Sequence, residues 1–538
     1  MKACPLTTCA TLATALALAA CTAPTDTANS EPKSRLVLSG GDDLGEFNPI
    51  AGYSSTGVSP LYEGLLRPTA DDDTTLPTLE PALAASDPDV SADARTWTVK
   101  LRDDIRFHDG TTFDSADVAA TYRAVTDPAS ASPIADDYTV IDRIDTPDPA
   151  TVVFHLKAPT REFTSRLLVG IAPSERLTGG PASESTLNTD PVGTGPYRLT
   201  HLDAAEAVLA ANTDYRDGAP TVTEIVIRAV PDENTRAQQL LAGEIDGAAL
   251  PPRLADSVDG RDGVSVVSVN SADWRGVSLP VDHPFTGEAV ARRALNMAVD
   301  RESLVEQVLS GHGQAATTPI TSAYPEYHQV AFGPMDPATR VFEASALLRG
   351  AGWELDDEST VRIRDGQRAE LTVAYPVNDS LRRELASAFA DQVRAIGVDV
   401  TLWGASWDEI EARAGQVAIM LGGGDNPYTV DTQAYRALHS RTPASGPFDN
   451  PGGWTNPGID QALDALTDPA NTRSPRDLYA QVQDEYRTDP GYVVLATLRH
   501  TYAIRDTGYS GPAPILEPHA HGVTWGPWWS LGDWTVTP

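Results

Sequence analysis

All three cysteines of this 538-residue sequence, Cys4, Cys9 and Cys21, lie at its N-terminal end. Past Cys21 the chain has no thiol, so a disulfide framework, a thiolate zinc site and a cysteine nucleophile are excluded there. What folds must be held by an apolar core, and the length suffices for two or three domains. The same end carries a targeting pattern. Met1-Lys2 is followed by small and apolar residues through Leu16-Ala17-Leu18-Ala19-Ala20 to Cys21, a run too short for a permanent membrane span. Leu18-Ala19-Ala20-Cys21 matches the bacterial lipobox, in which the cysteine sulfur takes a diacylglyceryl group; the competing reading is an ordinary signal peptide. Residues 1–20 are thus expected to be a signal peptide, and 21–34, rich in Thr, Ser and Pro, a lipidated Cys21 with a flexible tether.

Acidic residues outnumber basic ones, 75 to 40, for a net charge of −35. Nucleic acid and anionic lipid surfaces would be repelled, and neither is expected as a partner. Runs of strand character occur at Arg35–Leu38, Thr96–Leu101, Thr151–Leu156, Glu224–Ala229 and Leu371–Tyr375. Helical periodicity marks Asp232–Ala242, Glu288–Val299, Arg301–Leu309, Phe342–Ala351, Ser380–Ile396 and Ser474–Thr488, the last opening with a Ser-Pro start. Strands mixed with helices over this length indicate α/β domains.

Several short motifs follow one another along the chain: Phe47-Asn48-Pro49; Tyr62-Glu63-Gly64-Leu65; Trp97 to Arg102 with Phe107-His108-Asp109-Gly110; Pro191-Val192-Gly193-Thr194-Gly195-Pro196-Tyr197; Gly243-Glu244-Ile245-Asp246; Ala294 to Arg301; Ala351-Gly352-Trp353; Ile396-Gly397-Val398. In this order they resemble the large solute-binding proteins of bacterial peptide and nickel importers, solute-binding family 5. His108-Asp109-Gly110 also reads as a turn, and Gly193 to Tyr197 as a crossover using the freedom of its glycines.

The resemblance implies a two-lobed α/β periplasmic-binding-protein fold of type II, the large class with an extra subdomain, and a ligand cleft between the lobes. Lobe I would comprise 35–60, 191–280 and 495–538, the extra subdomain 61–190, and lobe II 281–494. It implies an extracytoplasmic, lipid-anchored, monomeric receptor that passes di- to oligopeptides to an ABC permease, with no cofactor and no catalysis. A nickel or metal-chelate receptor is the alternative within the family; a secreted hydrolase is the alternative outside it. No Gly-x-Ser-x-Gly elbow, His-Glu-x-x-His, Walker loop or dinucleotide fingerprint is present.

Gly422-Gly423-Gly424-Asp425-Asn426-Pro427-Tyr428 follows the apolar run Val417–Leu421, the place where α/β folds bind ligands. Its glycines would let the backbone approach a ligand. Asp425 matches the family aspartate that pairs with a peptide ammonium, a bond of about 1.5–3 kcal/mol. Asp431 is its rival, and an Asx-turn or N-cap is the structural reading. Asn426, Tyr428, Trp403, Trp407, Trp454 and Tyr53 are further ligand candidates, core packing being the other fate of any tryptophan. His519 and His521 share one side of an extended segment and are weak metal candidates; no metal is expected. Leu168 to Pro173, where the metal-chelate branch offers an arginine, has none.

Overall fold

A computed structural model describes residues 34–41, 44–160, 162–355, 360–424, 426–442, 445–468, 470–519 and 522–537. Cys21, Asp425 and His521 lie outside these residues. Most of the expected elements form close to their expected bounds. Strands run Arg35–Gly40, Thr96–Lys100, Thr151–Leu156, Glu224–Ala229 and Glu370–Pro376. Helices run Glu233–Ala242, Ala289–Ala298, Arg301–Gln307, Ser380–Arg394 and Pro475–Thr488. Their starts are set by caps: Asp232, Asp300, Asp379 and Ser474 each accept from a backbone N–H in the first turn. Such a cap stabilises a helix by about 1 kcal/mol. At the other end Gly243 takes φ +73° and donates to Gln239 and Leu240, so the helix stops there. The helix expected at Phe342 starts earlier, at Pro337, on the cap Asp336.

One 11-stranded mixed sheet runs through the molecule. At its centre lie two long antiparallel strands, Val264–Ser278 and Tyr492–Arg505. On one side the sheet continues through Gly247–Ala249, Arg35–Gly40 and Glu224–Ala229; on the other through Ala418–Gly423, Glu370–Pro376 and Asp399–Ala405. The long strands therefore belong to both halves. Their register is continuous from Val264 to Asn270, breaks, and resumes at Trp274 opposite Thr497. Ser271, Ala272 and Asp273 leave the ladder at that break and bond instead to the C-terminal segment: the Ala272 N–H donates to the Glu517 carbonyl at 2.8 Å. The extra residues bulge from one strand only, since Leu498 opposite them stays paired with Gly313, and such a bulge between two separately packed halves is where a hinge is expected.

The halves have their own cores. One packs Leu36, Leu38, Tyr197, Ile225, Tyr502 and Trp528; the other packs Leu295, Trp353, Val373, Phe389 and Met420. A separate four-stranded sheet, Asp89–Val90, Thr96–Lys100, Thr151–Leu156 and Ile141–Asp148, packs on the helix Ser115–Thr126 through Tyr122 and Phe154, whose rings lie 4.9 Å apart. Two of the sequence motifs meet where this sheet joins the first half. Glu63, 8% exposed, accepts from Thr194 Oγ1 at 3.0 Å, the Tyr215 hydroxyl at 3.0 Å and Arg216 at 2.7 Å. Gly193 and Gly195 are required here for a different reason than expected. Neither has a positive φ. A side chain at either would run into the backbone of Leu61, and at Gly195 into that of Pro60 as well, so close approach, not turning freedom, demands glycine.

Candidate functional site

Two cavities open at the seam between the halves, one lined by Trp274 and the other by Arg275, both next to the break in the strand Val264–Ser278. The smaller, about 140 Å³, is lined by Ser55, Thr56, Asp137 and Tyr138 from one side and Trp274, Gly422–Gly424, Asn426 and Arg436 from the other. The larger, about 590 Å³, lies between Gly40, Gly41, Pro231, Arg236 and Leu250 on one wall and Arg275, Asp379, Arg382 and Trp407 on the other. Its volume falls within the range of about 300–1,000 Å³ typical of small-molecule pockets.

The seam is closed by polar bridges. The Tyr428 hydroxyl donates to the Thr56 carbonyl at 3.0 Å. Arg436 lies 3.3 Å from Asp137 and Arg166 3.5 Å from Asp431. The Ser380 hydroxyl donates to Glu233 at 2.7 Å beside the larger cavity. These contacts cross between residues far apart in sequence and would all part if the halves rotated away from one another.

Behind the cavities, at the hinge, stands a buried charge network. Asp273, fully buried, accepts from Arg275 and from His500 Nε2 at 3.0 Å, and lies 2.9 Å from His519 Nδ1. His500 Nδ1 also meets Glu517, which accepts from the Tyr502 hydroxyl at 3.0 Å. Burial alone would raise the pKa of Asp273, but Arg275 and the two imidazoles hold it well below the ordinary carboxylate value. Burial opposes charge on His500, yet Asp273 and Glu517 raise its pKa to about 9. His500 is thus an imidazolium held between Asp273 and Glu517, although burial pushes the Glu517 carboxyl itself upward.

A third ionisable group sits across the seam. Burial, then the Asp431 charge, pushes Glu162 up to about 7. Arg166, Tyr324, Tyr327 and Tyr479 surround the pair. Opening would return Glu162 towards its usual 4.5, so closure takes up a proton. Solute affinity is expected to fall as pH rises through about 7, a small effect because Glu162 is itself an exposed residue whose charge water screens. Calorimetry across pH should show this slope for the wild type and a flatter line for Glu162→Gln.

The family model for bacterial extracellular solute-binding proteins, family 5 (middle), matches residues 78–445. The chain belongs to that family. It is 34% identical over 503 residues, 92% of its length, to Protein XP55 of Streptomyces lividans, of which 90% is covered. Among solved structures it resembles NikZ from Campylobacter jejuni in complex with Ni(L-His), with a TM-score of 0.81 and 24% identity over 94% of this chain and all of the other. It resembles likewise the oligopeptide-binding protein AppA from Bacillus subtilis in complex with a nonapeptide, with a TM-score of 0.77 and 20% identity over the same shares. The α/β architecture is the two-lobed periplasmic-binding-protein fold, and family members serve ABC importers outside the cytoplasm. Among the described residues no helix is long and apolar enough to cross a membrane.

Within this family member the residues singled out from sequence scatter. Asn426 lines the smaller cavity, and Tyr428 bridges the seam beside it. Trp407 lines the larger cavity, 38% exposed, with the Arg382 guanidinium 5.5 Å over its ring. Trp403 lies under Arg413 at 4.5 Å and lines neither cavity. Trp454 is 1% exposed and packs edge-on against Tyr486 in the core. Tyr53 packs between Phe47 and Tyr62, burial pushing its pKa up to about 12, and lines neither cavity. His519 is held by Asp273 and Arg275, and no cluster of three metal-ligating side chains occurs among the described residues. Asp431 faces Arg166 and Glu162 across the seam. Arg166 lies just before the segment read as lacking an arginine.

The glycines also differ from expectation. Gly422 and Gly423 are the last residues of a strand, paired with Arg275 and Trp274. A side chain on Gly422 would run into Arg275 and His519, and one on Gly423 into the Trp274 indole. Gly424 has φ +118° with the Ala272 carbonyl 2.6 Å from where a Cβ would sit. These positions are glycine to admit the protein's own side chains and backbone. The residues sequence reasoning missed, Asp273, Arg275 and His500, lie on strands with no simple alternation, and the contacts that join them to the rest of the network, His500 to Asp273 and Arg275 to His519, span more than 200 positions.

Proposed function

We propose that this solute-binding protein captures short peptides between its lobes, tethered outside the membrane by a lipid on Cys21, and delivers them to an ABC permease. The observation carrying the reading is the pair of cavities at a seam crossed by polar bridges, both beside the break in the long strand Val264–Ser278. Both cavities lie at the seam between the lobes, where main-chain recognition of a peptide needs little side-chain selectivity. The bound nonapeptide of AppA is consistent with it. The proposed lobe limits are 35–60, 191–280 and 495–538 for the first, 61–190 for the extra subdomain and 281–494 for the second, with Trp274–Ser278 proposed to pass to the second because they pair with Ile419–Gly423.

Asp425, between Gly424 at the cavity wall and Asn426 in it, is proposed to hold the peptide ammonium. Asp425→Asn should weaken binding of a peptide by about ten- to a hundredfold, on the scale of a charge-assisted hydrogen bond. N-acetylating the peptide should do the same, and the two changes together should be far from additive. Full additivity in calorimetry would move the role to Asp431. For the anchor, Cys21→Ser should shift the protein from the membrane fraction to the soluble one; a wild type already soluble and unlipidated would refute it. A metal chelate is the second reading, supported by the Ni(L-His) of NikZ and by His519, whose ring is a quarter exposed at the seam. Native mass spectrometry of protein from its own host separates the readings by the mass of the retained solute.

A further inference from the structure

A hairpin near the start of the chain reaches the hinge from outside the cleft. Its strands are Leu66–Thr69 and Thr78–Pro81, and residues 70–77 form its tip. None of these tip residues lines either cavity at the seam. The tip reads Ala-Asp-Asp-Asp-Thr-Thr-Leu-Pro, with one leucine in a largely polar, acidic run. Asp72 shapes it: its Oδ1 accepts from the Thr74 N–H at 2.8 Å and from the Thr74 hydroxyl at 2.6 Å, an Asx-turn. Asp71 and Asp72 stay exposed, whereas Asp73 and Leu76 are half-buried. Asp73 Oδ2 accepts from the Asn270 N–H at 2.6 Å. Leu76 packs against a core of the second half, the cluster that holds Ile320, Tyr324, Ile419 and Trp454. Ala70, where the tip begins, packs instead with Val58, Ile515 and Trp525 of the first half.

Asn270 is the last paired residue before the strand Val264–Ser278 bulges. Among the described residues, Val264–Asn270 has a strand neighbour only on the side of Tyr492–Arg505, because Ala418–Gly423 joins the other side only from Trp274 on. Its outer edge therefore offers N–H groups that need acceptors. Those of Val266 and Asn270 are taken by carboxylates, Asp259 at 3.0 Å and Asp73. Asn270 is fixed from two further sides, since its Oδ1 accepts from Arg499 Nε and its carbonyl from the Glu517 N–H, both at 3.0 Å. The tip is thus pinned to the hinge strand at Asp73 and seated in the second half at Leu76, with only Thr74 and Thr75 between them. Rotation of the second half away from the first must unseat Leu76 or pull Asp73 off Asn270. We propose that this tip is a strap that holds the closed state from outside the cleft and sets how often the receptor opens. The strap never meets the solute, so it changes the retention of every solute by one factor and leaves the choice among solutes alone.

The test uses the mature chain with Cys21→Ser, which then carries no native thiol, and spin labels on Val90→Cys and Val330→Cys, two exposed positions in different halves. Pulsed electron paramagnetic resonance reads the distance between the labels after bound solute has been stripped by unfolding and refolding. The labelled parent should populate a short, closed distance and a longer, open one. Asp73→Ala and Leu76→Ser should each raise the open-to-closed ratio by about three- to tenfold, the scale of losing one hydrogen bond or a half-buried leucine contact. Asp71→Ala, at an exposed acid of the same tip, should leave the ratio unchanged. This readout needs no solute, so it stands apart from the peptide reading. Members of a pool of tri- to pentapeptides that the parent retains should all lose affinity by the same factor in the two strap variants. Two distances in the parent with an unchanged ratio in both variants would overturn the strap and leave the hinge standing. One distance shared by all the proteins would overturn both. An Asp71→Ala shift as large as that of Asp73→Ala, or affinity losses that differ from peptide to peptide, would overturn the strap as well.

Discussion

Asp273→Asn is expected to destabilise the protein by about 3–5 kcal/mol, the scale for removing one partner of a buried ion pair. The carboxylate is fully buried and faces Arg275, His500 and His519, so the variant leaves two cationic side chains in a dry site with only an amide between them. A fall in the urea midpoint and in the melting temperature measures it. The pH dependence gives a second readout. His500, raised from 6.5 to about 9, contributes stability that is complete below 6.5 and is lost as pH rises through 9. Asp273, held below its ordinary 3.8, contributes above that value and loses its share as pH falls. Wild-type stability should therefore decline on the alkaline side between 6.5 and 9. In Asp273→Asn that decline should shrink, because the imidazolium has lost one of its two carboxylates.

Trp274→Ala should cost about as much, roughly 3–5 kcal/mol, for a different reason. The indole is 3% exposed, meets Tyr492 edge-on at 5.8 Å and fills the space left by the missing side chain of Gly423. It also lines the smaller cavity, so its loss enlarges the site as well as weakening the core beside the hinge. The variant should melt earlier and accept bulkier solutes than the wild type. Gly423→Ala alone should destabilise through collision with the indole, whereas Trp274→Phe with Gly423→Ala should recover part of the loss. Additive effects of those two substitutions, measured by urea unfolding, would show that the indole and the glycine are not coupled.

Local signals carried much of the fold. The strand Glu224–Ala229 and the helix after Asp232 form where β-branched residues, a capping aspartate and the terminating Gly243 place them. The first turns of the helix at Pro337 were not legible from periodicity, because Ala338, Thr339 and Arg340 give no apolar stripe; only the cap Asp336 and Pro337 mark its start. The hinge strand Val264–Ser278 was harder still. Ser271, Asp273 and Arg275 are polar yet buried, and what makes them tolerable in a strand arrives from Tyr492–Arg505 and from Glu517 and His519. The position of the triple glycine at the cleft was readable, but its cause was not, since Arg275 and His519 come from other parts of the chain. Aromatic residues were the least informative: Trp407 lines a cavity and Trp454 is in the core, and nothing local to either distinguishes them.

The central claim is that two lobes joined at Ser271–Asp273 close over a solute. It is tested most directly by small-angle scattering on the mature chain carrying the solute it retains from its host, and again after that solute is stripped by unfolding and refolding. Native mass spectrometry fixes which preparation is loaded. The account predicts a larger radius of gyration for the stripped protein, returning to the smaller value when the solute is added back, as the bridges Tyr428–Thr56 and Arg166–Asp431 part and reform. One radius of gyration for both verified states would contradict it.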